Sequence, residues 1–250
     1  MSFYSILFKL AGSGLSRMWR RIMRTFVNES FKRLDAEKQE RIIRAAIHEF
    51  ADRGYELANT NDIAERAKIS VGSLFHYFDT KENLFLYIVQ YGSRIIEQYT
   101  GQIVEDGAKS VAEKIEQLLR LVVKTSREEK ILIRLYHEMS SLGNNDFLTK
   151  VPQSLESFTA RHYIAMLQEG QKKGEVRPDL DISLAAFAMD NIFMSLQYAY
   201  SCDYYNIRFQ IYNNPWIDQD KNDEKVIAET LKFLCGALLV PENERRGQQT

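Results

Sequence analysis

No proline precedes Pro152 in this 250-residue chain. Proline fixes φ, lacks an amide hydrogen and breaks helix interiors, so the first 150 residues hold no obligatory break. Together, 12 glycines and 4 prolines make 16 punctuating residues, 6.4% of the chain, against roughly 12% in an average protein. A many-turned β architecture or a disordered chain needs more of both. The chain therefore reads as long helices, and its 45% apolar content gives them a core to bury.

Helix periodicity becomes clean from Asp35, which can cap a helix carrying Ile42, Ile43, Ala46, Ile47, Phe50 and Ala51 on one face, with Gly54 as its stop. Asn59 and Asp62 open a helix of about two turns from Thr60 to Ala67, and Ser70 caps a third, Val71 to Tyr77. Asp79 with Glu82 opens a long fourth helix. Further helices are predicted over about 110–125, 128–142, 152–174, 181–200 and 223–239. Residues 204–215 are aromatic but end in Asn213-Asn214-Pro215 and predict a poor continuous helix. The architecture expected is all-α: a basic extension (1–34), a three-helix domain (35–80), a larger helical domain (81–241) and a polar tail (242–250).

Charge is uneven beneath a formal total of −1. The first 34 residues hold Lys9, Arg17, Arg20, Arg21, Arg24, Lys32 and Arg33 against Glu29 alone, a net of +6. Met18, Trp19, Ile22, Met23 and Phe26 recur among those arginines at helical spacing. Three readings stay open: a basic arm on DNA, a basic amphipathic helix on a membrane surface, or a non-native or disordered extension ahead of a start at Met18 or Met23. Within residues 35–85 acidic residues roughly match basic ones.

The helices at 60–67 and 71–77 are separated by the four-residue turn Ala67-Lys68-Ile69-Ser70 and match a helix-turn-helix. In that motif the second helix places its N-terminal residues in the major groove. The short side chains of Val71, Gly72 and Ser73 let backbone approach DNA closely, and Ser70 and Ser73 can reach phosphate or base edges.

The run from Thr60-Asn61-Asp62-Ile63-Ala64-Glu65-Arg66-Ala67 through Lys68-Ile69-Ser70-Val71-Gly72-Ser73-Leu74-Phe75-His76-Tyr77-Phe78 to Lys81 and Leu84, preceded by Gly54-Tyr55, resembles the signature of the TetR family of bacterial transcriptional regulators. The run Gly170 to Asp181, with Gly174-Glu175 and Arg177, resembles the junction ahead of that family's penultimate helices. Two departures stand out. Lys68 occupies a turn position where glycine is usual, and Phe75 replaces a tyrosine whose hydroxyl could bond a phosphate.

The resemblance implies a homodimeric regulator of double-stranded operator DNA, most commonly a repressor released by a small-molecule effector. No cofactor, catalytic residue or metal site is implied. Thr60, Tyr77 and Lys81 match phosphate-contacting positions. Asn61, Val71, Ser73, Phe75 and His76 match positions facing base edges. Leu74 and Phe78 read as core, Phe75 as either core or contact, and His76 alternatively as a solvated surface residue.

The dimer is expected on Ala185, Ala186, Met189, Phe193 and Leu196 with Phe233, Leu234 and Ala237, the alternative being intrachain core. An effector pocket is expected among Tyr91, Ile95, Tyr99, Leu118, Val122, Leu135, Met139, Phe158, His162 and Met166. Their aromatic and methionine content suits a largely apolar ligand, the alternative again being plain core.

An all-α enzyme is the main rival. None of His48, His76, His137 and His162 follows a Glu at three residues' distance, and there is no H-E-x-x-H or phosphate-binding glycine loop. A helical adaptor using the aromatics Tyr204, Tyr205, Tyr212 and Trp216 would not need the Val71-Gly72-Ser73 cluster. Cys202 and Cys235 have no paired-ligand spacing. With two cysteines, no run of about 18 apolar residues and no basic region ahead of the N-terminal apolar stretch, a cytoplasmic protein is the expectation.

Overall fold

The computed structural model describes residues 26–141, 152–213, 222–241 and 244, with the side chains of 93–96, 98, 138–141 and 152–157 outside that description. The helices are α1 (Glu29–Lys32), α2 (Ala36–Leu57), α3 (Thr60–Arg66), α4 (Val71–Phe78), α5 (Lys81–Val104), α6 (Val111–Glu128), α7 (Lys130–Ser141), α8 (Pro152–Lys172), α9 (Ile182–Ser201), α10 (Asp203–Asn213) and α11 (Asp223–Leu238). They fall into two units. One comprises residues 1–95 and 131–151, the other 96–130 and 152–250.

In the first unit the caps sit largely where sequence places them. The Asp35 carboxylate accepts from the Lys38 N–H at 2.8 Å, Asn59 accepts from the Asn61 N–H at 2.9 Å, and Ser70 accepts from the Ser73 N–H at 3.1 Å. Each satisfies an amide that the first turn leaves open. At Gly54, φ is +69°, which kinks α2 before its final turn. Ile42, Ile43, Ala46, Ile47 and Phe50 are buried along one face.

Two expectations change. Asp79 does not cap α5. It adopts φ +60° at the end of α4, and Thr80 Oγ1 accepts from the Asn83 N–H instead, at 3.0 Å. The Asp79 carboxylate is turned to Asn28, whose Nδ2 donates to it at 3.3 Å. Nor do residues 26–34 behave as an extension. Phe31 is 1% exposed, and its ring lies 4.8 Å from Phe78, 5.5 Å from Tyr87 and 5.8 Å from Tyr77. Val27 is buried as well, and Asn28 bonds the His76 and Tyr77 carbonyls, so the three-helix unit begins near Val27. The basic residues at 1–25 lie outside the described residues, as do residues 143–146, Trp216 and most of the tail.

The second unit is built on α6. Its N-terminus carries a full capping box between Ser110 and Glu113. Its Ile115, Leu118, Leu119, Val122 and Val123 join a core with Tyr163, Met166 and Leu167 of α8, Met189 and Phe193 of α9, and Ile227, Leu234 and Leu238 of α11. At Gly170 an added Cβ would come within 2.5 Å of Val111 and 2.8 Å of Val176, so glycine is required for this close approach. The Arg127 guanidinium donates twice to Asp223 at 2.6 Å, and Arg120 donates to both carboxylate oxygens of Glu224 at 2.7 and 3.0 Å. These pairs tie the start of α11 to α6.

Residues 203–213 form a helix after all. α10 opens immediately after an extended Cys202, and Asn206 Nδ2 donates to the Ala199 carbonyl at 3.0 Å. Tyr205 and Phe209, one turn apart, set their rings 5.2 Å from Tyr198 and 6.3 Å from Tyr200 of α9. That i,i+4 pair suffices to dock a helix with no fully buried residue of its own.

Candidate nucleic-acid interface

α3 is held by α2 through one buried carboxylate. Glu49 has no solvent exposure. Its Oε1 accepts from the Asn59 N–H at 3.1 Å, and it pairs with Arg53 at 3.3 Å and Arg66 at 3.9 Å. The start and end of α3 are thus fixed to one point on α2. Arg41 adds a hydrogen bond to the Ala67 carbonyl at 2.8 Å, at the turn itself. Sequence reasoning missed Glu49. An acid one residue before a core phenylalanine was the only signal.

The turn contains Lys68 at φ +54°, the left-handed conformation that favours glycine. From it α4 emerges with Leu74 and Phe78 each 1% exposed, as core. The opposite side stays open. Asn61, Gly72 and His76 are exposed, Thr60, Val71 and Ser73 half-buried, and Phe75 is 38% exposed. The Phe75 ring, left in water beside Val71 and Gly72, is not part of the core. An added Cβ at Gly72 would meet only the Ser70 hydroxyl, at 3.9 Å, so this helix start presents bare backbone. Ser70 and Ser73 share a hydroxyl hydrogen bond of 2.8 Å.

Two residues expected at phosphates are otherwise engaged. Tyr77 is 8% exposed, its ring packed in the Phe31 cluster. Lys81 donates to the Glu56 carbonyl at 3.1 Å and lies 5.1 Å over the Tyr55 ring. Burial, then Glu82 and Glu56, push the Tyr55 hydroxyl up from its ordinary value, so it stays protonated and able to donate.

Residues 42–88, which hold this motif, match the family model described as bacterial regulatory proteins, tetR family. The chain is 27% identical over 169 residues to the transcriptional repressor KstR2 of Mycolicibacterium smegmatis, covering 65% of this chain and 80% of the relative. It is 28% identical over 173 residues to the probable acrEF/envCD operon repressor of Escherichia coli, covering 66% and 78%. Residues 42–88 carry a TetR-family DNA-binding domain. The fold agrees. The crystal structure of the regulator FadR from Bacillus subtilis in complex with stearoyl-CoA superposes with a TM-score of 0.60 at 20% identity, over 76% of this chain and 96% of that one. With that domain and with transcriptional repressors as relatives, the chain is a DNA-binding transcriptional regulator and not an enzyme. Among the described residues no helix is long and apolar enough to cross a membrane.

The residues expected to form a TetR-family effector pocket are scattered. Tyr91 and Leu135 belong to the first unit, the second of them buried. Leu118, Val122 and Met166 are packed into the continuous core of the second. Phe158 and His162 stack at 4.0 Å, and His162 bonds the Phe158 carbonyl at 2.9 Å and Glu105 at 3.2 Å. Tyr99 is half-buried. The side chains of Ile95 and Met139 lie outside the described residues. One cavity among the described residues of the second unit is elsewhere. It is an open groove of about 700 Å³ between α9 and α10, lined by Ile192, Ser195, Leu196, Tyr205, Arg208 and Phe209 among others. The residues expected to pair two chains are also placed differently. Ala185, Ala186, Met189, Phe193, Leu196 and Leu234 are all 9% exposed or less, inside the unit's own core. Phe233 is 64% exposed, Ala237 is exposed as well, and α9 presents Leu184 and Phe187, each 67% exposed, on its outer side.

Proposed function

We propose that this protein is a homodimeric transcriptional repressor that leaves its operator when a small, largely apolar effector binds. The observation that carries the reading is the exposed start of α4. Val71, Gly72 and Ser73 offer a flat, short-chained surface flanked by Phe75, His76 and Asn61, and Ser70 holds the first turn in shape. Asn61 is suited to an adenine edge, and Val71 to a thymine methyl. Thr60 and, after release from Glu56, Lys81 are the phosphate contacts.

Dimerisation is supported on α11 by Phe233 and Ala237, which sequence suggests, and on α9 by a different stripe from the expected one. Leu184, Phe187, Ala188 and Asn191 form one exposed stripe on α9, and Phe233, Gly236 and Ala237 another on α11. Large apolar residues this exposed, beside small ones that let helices approach, suit a four-helix contact between two copies. Two reading heads related by a two-fold axis would then meet successive major grooves. For the effector, the FadR complex with stearoyl-CoA makes acyl-CoA thioesters, in which the acyl chain is the apolar part, the first class to try, acting by population shift between two spacings of the heads.

The test is selection of bound duplexes from a random library, followed by gel shift with and without acyl-CoAs. A near-palindromic site whose binding weakens with salt is expected. No preference for any selected sequence over random duplex would overturn the regulator reading. Binding that no member of an acyl-CoA series weakens would overturn the effector class.

A further inference from the structure

The reading head is short of free positive charge. Residues 35–85 hold 7 basic and 10 acidic residues, a net of −3. Five of the basic side chains are already bound within the fold. Arg53 and Arg66 pair with Glu49, and Arg44 with Glu40 at 2.6 Å. Arg41 donates to the Ala67 carbonyl at 2.8 Å, and Lys81 to the Glu56 carbonyl at 3.1 Å. The ammonium groups of Lys38 and Lys68 have no hydrogen bond or ion pair to another described residue. Lys38 lies in the first turn of α2. Lys68 lies in the turn of the helix-turn-helix itself, two residues ahead of Ser70, the cap of the reading helix.

That turn holds Lys68 in a conformation its own side chain opposes, at φ +54°. The backbone has no freedom to relax, because its neighbours are fixed on both sides. Ala67 has no solvent exposure, and Arg41 holds its carbonyl. The Lys68 N–H donates to the Glu65 carbonyl and the Ile69 N–H to the Ala64 carbonyl, each at 3.0 Å. Glycine would satisfy the same bonds without a side chain in the left-handed region. The lysine gives the fold nothing in return, since its side chain is exposed and meets no acceptor among the described residues. Strain that the surroundings enforce, at a residue that adds no packing, points to a function outside the fold.

The surroundings say which. In this motif the start of the second helix enters the major groove, which is about 12 Å wide with phosphates along both rims. Two residues span at most about 7 Å of chain, so Lys68 stands at the rim when Val71 and Ser73 face the base edges. A compact ammonium on a flexible four-carbon stem suits a phosphate, whereas bases are read by planar, bidentate groups.

We propose that Lys68 is a further phosphate contact of the reading head, and that the strain of the turn is retained for the charge it carries to the groove's rim. The inference rests on the DNA-binding reading above. Where the family signature has glycine, this chain adds affinity without adding selectivity.

The test compares the full chain with Lys68→Gly, which removes charge and strain, Lys68→Gln, which removes the charge alone, and Lys68→Arg, which keeps both. Each is titrated against the library-selected operator and against random duplex over a range of salt, with urea unfolding in parallel. The glycine and glutamine variants should each lose about fivefold or more in affinity for both duplexes, with a salt slope shallower by about one per head. Their preference for operator over random duplex should be unchanged. The arginine variant should restore the slope, and only the glycine variant should gain stability. Unchanged slopes in the glycine and glutamine variants, with operator selection intact, would overturn the proposal and leave the regulator reading standing. A lost preference for the operator would overturn it too, by making Lys68 a reader of bases. A full chain that binds random duplex with a Lys68-dependent slope but selects no sequence would sink the regulator reading and leave the contact. A full chain that binds no duplex would sink both.

Discussion

Lys68 and Asp79 are the two non-glycine residues of positive φ among those described, and they bracket α4. At Lys68 the departure from the family's usual glycine is visible as backbone strain, because an L side chain in the left-handed region costs roughly 1–2 kcal/mol. Lys68→Gly should raise unfolding stability by about 1 kcal/mol, less what the freer unfolded glycine loses, read as a higher urea midpoint at unchanged slope. Phe31 belongs to the same scale. Phe31→Ala removes a ring packed against three others and should cost about 3–5 kcal/mol. Were residues 26–34 a loose tail, the cost would be within about 0.5 kcal/mol. Phe31 also shows a limit of sequence reading. Phe31 falls outside the Met18-to-Phe26 spacing and sits beside Lys32 and Arg33, so charge defined that stretch and the domain boundary was drawn eight residues late.

At the scale of elements, helix starts were the most legible feature, because caps are local chemistry. Asp35, Asn59, Ser70, Ser110 and Asp181 each have a side-chain oxygen on an amide of the following turn. α10 was not legible, since its docking depends on Tyr198 and Tyr200 of a neighbouring helix rather than on its own pattern. The join of α6 to α11 carries a testable contrast. Glu224 is exposed and Asp223 only about a quarter exposed, and Asp223 also accepts from the Tyr200 hydroxyl at 3.0 Å. Asp223→Ala should cost about 2 kcal/mol and Glu224→Ala less than about 1, by urea unfolding at neutral pH.

Acid should loosen the same elements. A hydrogen bond from Ser110 holds the Glu113 carboxyl below its ordinary 4.5, and one from Arg120 does so for Glu224. A carboxyl depressed on folding stabilises fully above its unfolded value and loses that contribution as pH falls through the folded one. Stability should therefore be flat down to about pH 5.5 and decline below 4.5. Glu113→Gln should flatten part of that decline.

At the scale of the whole molecule, the reading head was legible because the helix-turn-helix is a local motif at fixed spacing. Of the residues expected at a dimer face, Phe233 and Ala237 are exposed and the rest are core. α9 is apolar on two sides, and periodicity marks stripes without saying which one the subunit consumes itself. Met189 and Phe193 fill the core, 1% and 2% exposed, while Leu184 and Phe187 on the other stripe remain two-thirds exposed. This gives the quaternary prediction a sharp control. Phe187→Glu places a charge on the outer face, where a monomer tolerates it but a helix-packed dimer must desolvate it. The variant should sediment as a monomer with near-native helix content. Its affinity for a two-half-site operator should fall by about a hundredfold or more, toward that of a single half-site, while random-duplex binding per head changes little. Met189→Glu, on the consumed stripe, should instead unfold the sensing unit. A dimer that survives Phe187→Glu intact would move the two-fold axis off α9.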